Sequence, residues 1–336
     1  MNILVLDVAA SESGALSILE QYYQQFRSDT ENQYYLCVST PEMENSGNVQ
    51  VLRFPWVKKT WFHRLWFECA VVPELVRKHH IDRVFSLQNL ILSDPACEKW
   101  IYLHMSIPFE DLAFSLVKDP LMWVYRNIIG KLIYHSLKKA DRVIVQTSWM
   151  KEACIQNAGL VPEKIVLQPP EICVNDVVLC ADQKAVRNRL FYPATPLKYK
   201  NHMFVLRVLK RLKEQDCLGS LTLDLTLTGE ENSLSRKVAA FAHENGLPVN
   251  FLGRLPRAQV MERYANSSLI FPSYIETFGL PLLEARFSNT VVLASDRPFS
   301  REILSGYPAA LFFDPFDEAA LFEILKHIAE KKEYEL

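Results

Sequence analysis

Two glutamates, Glu276 and Glu284, lie eight positions apart in the stretch FPSYIETFGLPLLEA, residues 271–285, with Phe278, Gly279, Leu280 and Pro281 between them. Residues 269–272 read as a buried strand. Pro281 suits the first turn of a helix, where its missing N–H leaves nothing unsatisfied. The backbone N–H groups around Phe278, Gly279 and Leu280 then become the unpaired donors of a helix start, an anion site strengthened by the helix dipole. Gly279 lets a ligand approach the main chain with no Cβ in the way. A carboxylate does not itself hold phosphate, so the two acids fit hydroxyl groups on either side of it. The ligand drawn by this logic is a sugar, a diphosphate and a ribose in line.

The chain around this stretch has 336 residues, about twice the length of one domain. Hydrophobic residues make up 49% and charged ones 23%, enough apolar material for a real core. A net charge of -2 excludes a general attraction for nucleic acid, so an anion site must be local. MNILVLDVAA runs straight into a strand-like stretch without a basic segment ahead of it, which argues against a cleaved secretion signal. No apolar run approaches the ~18–20 residues of a membrane span. The seven cysteines are odd in number and show no C-x-x-C spacing. That usage fits reduced thiols in a cytoplasmic protein, with neither a disulfide framework nor a zinc site.

Short apolar or β-branched runs alternate with longer amphipathic segments from end to end, the pattern of parallel sheets with helices on both faces. The alternation pauses at QPPEICVNDVVLCADQKAV, residues 168–186, which reads as a linker. The expected organisation is a first Rossmann-like domain over residues 1–170 and a linker over 171–186. A Rossmann-like nucleotide-sugar-binding domain follows over 187–320, then a C-terminal helix over 321–336 that packs back toward the first domain. The fold class is α/β: two doubly wound domains facing a cleft, with ligands beyond the carboxyl ends of the strands.

The stretch of residues 271–285 resembles the E-x7-E motif of retaining glycosyltransferases of family 4, whose fold is GT-B. The likeness extends along VNFLGRLPRAQVMERYANSSLIFPSYIETFGLPLLEA (249–285), KKADRVIVQTSWMKEA (138–153) and ALFFDPFDEAAL (310–321). The resemblance implies that Glu276 contacts hydroxyls of the transferred sugar and that Glu284 contacts the ribose of the nucleotide. It further implies that the amides of Phe278, Gly279 and Leu280 meet sugar and diphosphate. The family supplies an Arg and, five residues on, a Lys after the first strand of the second domain. In RLFYPATPLKYKNH (189–202) Lys200 matches the Lys, but the Arg position falls near Thr195. Lys198 and Arg254 are the candidates to replace that charge. In the first domain, Ser13, Gly14 and Ala15 occupy the position of the family's glycine-rich loop. His104 resembles a histidine that the family places near the reacting centre.

No D-x-D triplet occurs. Transferases that hold the diphosphate through a divalent cation commonly need one, so the reading is metal-independent, with no cofactor beyond the donor. The donor is expected to be a UDP, GDP or dTDP sugar, and the acceptor a glycan or lipid-linked glycan of a surface polysaccharide. Residues 54–68 mix Trp56, Trp61, Trp66, Phe54, Phe62 and Phe67 with Lys58, Lys59 and Arg64, a composition suited to anionic lipid. In residues 119–139 the helical spacing puts Leu121, Val124, Ile128, Leu132 and Ser136 on one face. Arg126, Asn127, Lys131, His135 and Lys138 lie toward the other. The alternative is a sheet-edge loop for the first segment and a core-facing helix for the second. The reading is therefore a cytoplasmic enzyme at the inner face of the membrane by peripheral contact. Two rivals stay open: a GT-B nucleotide-sugar epimerase or phosphorylase, and a catalytically silent partner of another transferase.

Overall fold

The computed structural model describes all residues except Ser11, Glu12, Asp94, residues 171–175, Arg187 and residues 331–336. The chain divides into two compact units, Met1–Pro169 and Pro170–Leu336.

The first unit begins with β1 (Asn2–Asp7), α1 (Ser13–Ser28), β2 (Gln33–Val38) and β3 (Val49–Arg53). Next come α2 (Trp61–Trp66), α3 (Val72–Lys78), β4 (Arg83–Ser86), β5 (Glu98–Tyr102), α4 (Pro120–Val124) and α5 (Gly130–Lys139). The unit closes with β6 (Arg142–Val145), α6 (Ser148–Ala158) and β7 (Ile165–Leu167). Its seven strands are all parallel in the order β3-β2-β1-β4-β5-β6-β7. The apolar run of β1 serves two cores because successive side chains point to opposite faces. Ile3 and Val5 pack with Leu19, Tyr22 and Phe26 of α1. Leu4 and Leu6 pack on the other face with Phe67, Val72, Ile133 and Leu137.

The second unit holds α7 (Gln183–Val186), β8 (Arg189–Tyr192), α8 (His202–Glu214), β9 (Thr222–Leu225), α9 (Ser233–Glu244) and β10 (Val249–Phe251). It continues through α10 (Arg257–Ala265), β11 (Ser268–Phe271), α11 (Leu280–Phe287), β12 (Val292–Ser295), α12 (Pro298–Ile303), β13 (Ala310–Phe313) and α13 (Glu318–Ala329). Its six parallel strands run β10-β9-β8-β11-β12-β13. α13 starts at Glu318, where Asp317 accepts the N–H of Ala319 and caps the helix, and it packs on α8 of its own unit. The sequence expectation began that helix three residues late, since apolar periodicity marks the first buried turn and not the cap.

Both sheets reverse their strand order at the first strand, between β1 and β4 and between β8 and β11. Loops leaving adjacent strands in opposite directions open a crevice at the carboxyl edge of such a sheet. No helix among the described residues is long and apolar enough to cross a membrane.

One helical expectation fails in phase. Residues 119–139 form α4, then a π-helical turn over Tyr125–Ile129, then α5. Ile129, Ile133, Ser136 and Leu137 are buried, while Leu121 is 63% and Ile128 49% exposed. The wider turn slips the face by a residue, so a uniform 3.6-residue period joined positions that belong to two different stripes.

Candidate functional site

The carboxyl edge of the second sheet is built by two loops, residues 193–201 after β8 and residues 272–279 after β11. They are tied together by hydrogen bonds from Tyr274 N and Ser273 Oγ to Tyr199 O at 3.1 and 3.3 Å. The buried Tyr192 hydroxyl donates to Lys200 O at 2.8 Å, which fixes the loop from below. Burial first, then the carboxylate of Glu276, pushes that hydroxyl's pKa well above its ordinary value, so it stays a donor. Lys200 Nζ forms an ion pair with Glu276 Oε1, and the two side chains are only 16% and 15% exposed. The sequence separates these residues by 76 positions; the adjacency of β8 and β11 brings them together.

Gly279 caps α11 at φ 86° and ψ 60°, a left-handed conformation that disfavours any side chain. A Cβ there would also come within 3.1 Å of Leu282 Cδ1. Phe278 is buried under the loop, and Leu282 N donates to Gly279 O at 2.9 Å. Among the described residues, none accepts a hydrogen bond from the main-chain N–H of Phe278, Gly279 or Leu280. The helix tip therefore presents open donors.

Glu284 lies in the next turn and is 5% exposed. Its Oε1 accepts from Arg257 Nη1 at 2.7 Å, and its Oε2 from the Tyr264 hydroxyl at 3.0 Å. Arg257 Nε also faces Asp176 Oδ2 at 3.4 Å. Sequence reasoning missed Arg257 and Tyr264. One signal was available: Arg257 follows Pro256 at the first position of α10, where the helix dipole disfavours a cation unless an acid is near.

Thr195, Lys198 and Arg254 are exposed, and Lys200 is the cation that pairs with Glu276. Gly253, ahead of Arg254 in the β10–α10 connection, has φ 67°.

In the first unit, Ser13 and Gly14 open α1; the two residues before them lie outside the described ones. His104 follows β5 and is held from two sides. Its main-chain N–H donates to Asn89 Oδ1 at 2.7 Å, and its Nε2 lies 2.9 Å from Leu87 O. A carbonyl only accepts, so Nε2 carries the proton and Nδ1 keeps a lone pair in the neutral ring. Burial lowers the ring's pKa, which favours that neutral form. Asn89 sits at φ 72°, a strained position that asparagine tolerates and that aims its amide at the histidine.

A second cluster lies at the end of β1. Asp7 is 2% exposed and accepts the N–H of Ala10 at 3.2 Å. Burial pushes its carboxyl up to about 7, against the opposing pull of Arg64 and Lys58. Arg64 pairs with the fully buried Glu68 at 3.4 Å, and Glu68 accepts from Gln88 beside Asn89. This network links α2 to the loop that positions His104.

Comparison with known proteins adds the following. Residues 183–335 match the family model described as Glycosyl transferases group 1, a span containing Lys200, Glu276, Gly279 and Glu284. Among curated proteins, the chain is 25% identical over 235 residues to the O-antigen chain mannosyltransferase RfbU of Salmonella typhimurium. That alignment covers 68% of this chain and 64% of the relative, so a little under two thirds of the relative's length is spanned. Among solved structures, sucrose-phosphate synthase of Thermosynechococcus elongatus superposes with a TM-score of 0.76 at 16% identity, covering 98% of this chain and 90% of that one. Anabaena HepE, in complex with UDP and glucose, gives 0.69 at 16% identity over 98% and 89%. At these identities the likeness carries the fold, the GT-B class with its two Rossmann-like sheets.

Proposed function

We propose that this protein is a retaining glycosyltransferase of the family 4 type, moving a sugar from a nucleotide-diphosphate donor to a hydroxyl of a glycan or lipid-linked glycan. The observation that carries the reading is the glycine-opened tip of α11, with the Lys200–Glu276 pair on one side and Glu284 on the other. All of these residues fall within the span matched by the family model.

In this reading the diphosphate takes the open N–H groups of residues 278–280 and draws Lys200 away from Glu276. Glu276 is thereby released to accept hydroxyls of the sugar. Lys200 and the helix dipole then stabilise the leaving phosphate where its charge develops. The acceptor attacks from the face that the diphosphate leaves, and a phosphate oxygen takes its proton. His104, Ser13 and Gly14 are assigned to the sugar or the acceptor. Arg254 and Lys198, exposed in the absence of donor, are assigned no fixed contact with the diphosphate. The mechanism as proposed is metal-independent and needs no cofactor besides the donor.

RfbU acts on an O-antigen chain by its name, which favours surface-polysaccharide assembly as the setting. The HepE complex makes UDP the first base to try, beside GDP and dTDP. α2 carries Trp61, Phe62, Leu65 and Trp66 exposed by 58%, 74%, 43% and 58%, next to exposed Lys58 and Lys59. Such a surface suits peripheral contact with anionic lipid at the inner face of a membrane.

The test is incubation with a panel of UDP, GDP and dTDP sugars, with and without a glycan acceptor, followed by product analysis. Transfer with retained anomeric configuration is expected. Epimerised donor in the absence of acceptor would replace this reading with the epimerase, and binding of none of the nucleotides would replace it with a silent partner.

A further inference from the structure

We propose that Arg257 and Tyr264 are positioning residues that hold the Glu284 carboxylate in the one orientation that accepts a ribose hydroxyl, and that Arg257 thereby sets the enzyme's preference for a hydroxylated ribose. The inference rests on the ribose placement proposed above and deepens it.

Three features carry it. Glu284 is 5% exposed, yet each of its oxygens is engaged by a separate donor, Arg257 at 2.7 Å and Tyr264 at 3.0 Å. Two donors from α10 therefore fix both the position and the plane of a carboxylate on α11. Each carboxylate oxygen has two acceptor sites, so one remains on each for a ligand hydroxyl. A ribose diol is the ligand chemistry that such a pre-aimed pair of acceptors fits.

Second, Arg257 is itself held. Its Nε faces Asp176 Oδ2 at 3.4 Å, so the guanidinium lies between an acid that follows the Pro169–Pro170 pair and Glu284. Its side chain is nevertheless 46% exposed. An arginine at the first position of a helix, half open to water, is otherwise an unfavourable choice.

Third, the Tyr264 hydroxyl keeps its proton. Burial first, and then the adjacent Glu284 carboxylate, raises its pKa well above the ordinary value. The hydroxyl is therefore a permanent donor to Oε2, which leaves Arg257 as the partner that water and ligand can reach.

The experiment is calorimetric titration of the full chain with UDP, GDP and dTDP. The tightest of these and its 3′-deoxy counterpart are then titrated against wild type, Glu284→Ala, Arg257→Ala, Arg257→Lys and Tyr264→Phe. Wild type is expected to favour the hydroxylated nucleotide by about tenfold, the size of one charge-assisted hydrogen bond. Glu284→Ala should abolish the preference, Arg257→Ala reduce it to about twofold or less, and Arg257→Lys restore part of it. Should Glu284→Ala lose the preference while Arg257→Ala and Tyr264→Phe keep it in full, the positioning role is overturned and the ribose placement stands. Should wild type and Glu284→Ala show the same preference, or no nucleotide bind, the ribose placement falls and takes this inference with it. Thermal unfolding without nucleotide shows whether Arg257→Ala is folded; if it is not, Arg257→Lys and Tyr264→Phe decide the outcome by the same ratio.

Discussion

The two units share one topology at their carboxyl edges and treat charge there in opposite ways. In the second, Lys200, Glu276 and Arg257 keep part of their surface in water, and each acid is met by a cation that is not sealed in. In the first, Asp7 and Glu68 are almost wholly buried, and their partners come from α2 and from the loop beside His104. A charge that still touches water can exchange a side-chain partner for a ligand at modest cost. A sealed charge must keep its partners, because leaving it unpaired in low dielectric costs several kcal/mol. The second edge is thus suited to binding and release, and the first to holding loops in place.

The sharpest way to break this contrast is at Glu276. Glu276→Ala should lower turnover by about a thousandfold with the fold intact by circular dichroism, a loss typical of removing a preorganised charge contact. Transfer at the wild-type rate would show that the exchangeable pair has no part in the chemistry.

The next largest effect tests the sealed edge. In the folded state the Asp7 carboxyl has its pKa raised to about 7, so between roughly pH 4 and pH 7 the native chain holds a proton that the unfolded chain has lost. Stability contributed by this group is therefore fully present at low pH and declines as pH rises through that window. Asp7→Asn removes the ionisation. The variant should gain on wild type across the window and level off above it, at about 4 kcal/mol by denaturant titration. A gain that is flat with pH would mean that Asp7 is not protonated in the native state.

His104→Ala should reduce turnover by about tenfold, a positioning effect. Because burial lowers the ring's pKa below its ordinary value, the pH–rate profiles of variant and wild type should run parallel between about pH 7 and pH 8. A titration lost with the histidine would make it an acid–base group. The smallest effect is expected at α2. Phe62→Ala with Trp66→Ala should lower co-sedimentation with anionic vesicles several-fold and leave turnover on a soluble acceptor alone, since both rings point to water. Equal sedimentation would remove the membrane from the proposal.

Much of the fold was legible in the sequence because strand and helix signals are local. The apolar runs at residues 189–192 and 310–313 form strands, and the amphipathic segment at residues 233–244 forms a helix. The helix tip at Gly279 was equally legible, since a glycine before Leu-Pro after a buried strand has few other uses. The π turn over Tyr125–Ile129 was not, because no residue type announces a widened turn.

By itself the sequence determined which residues form strands and helices, and it placed two acids and an open run of amides at one helix start. Only the tertiary structure decided which charges meet. Lys200 finds Glu276 across 76 residues and Arg257 finds Glu284 across 27. Pairing depends on which strands lie side by side and on how each loop leaves its strand. Those are properties of the folded sheet, set by burial of both its faces at once, and no local run of residues encodes them.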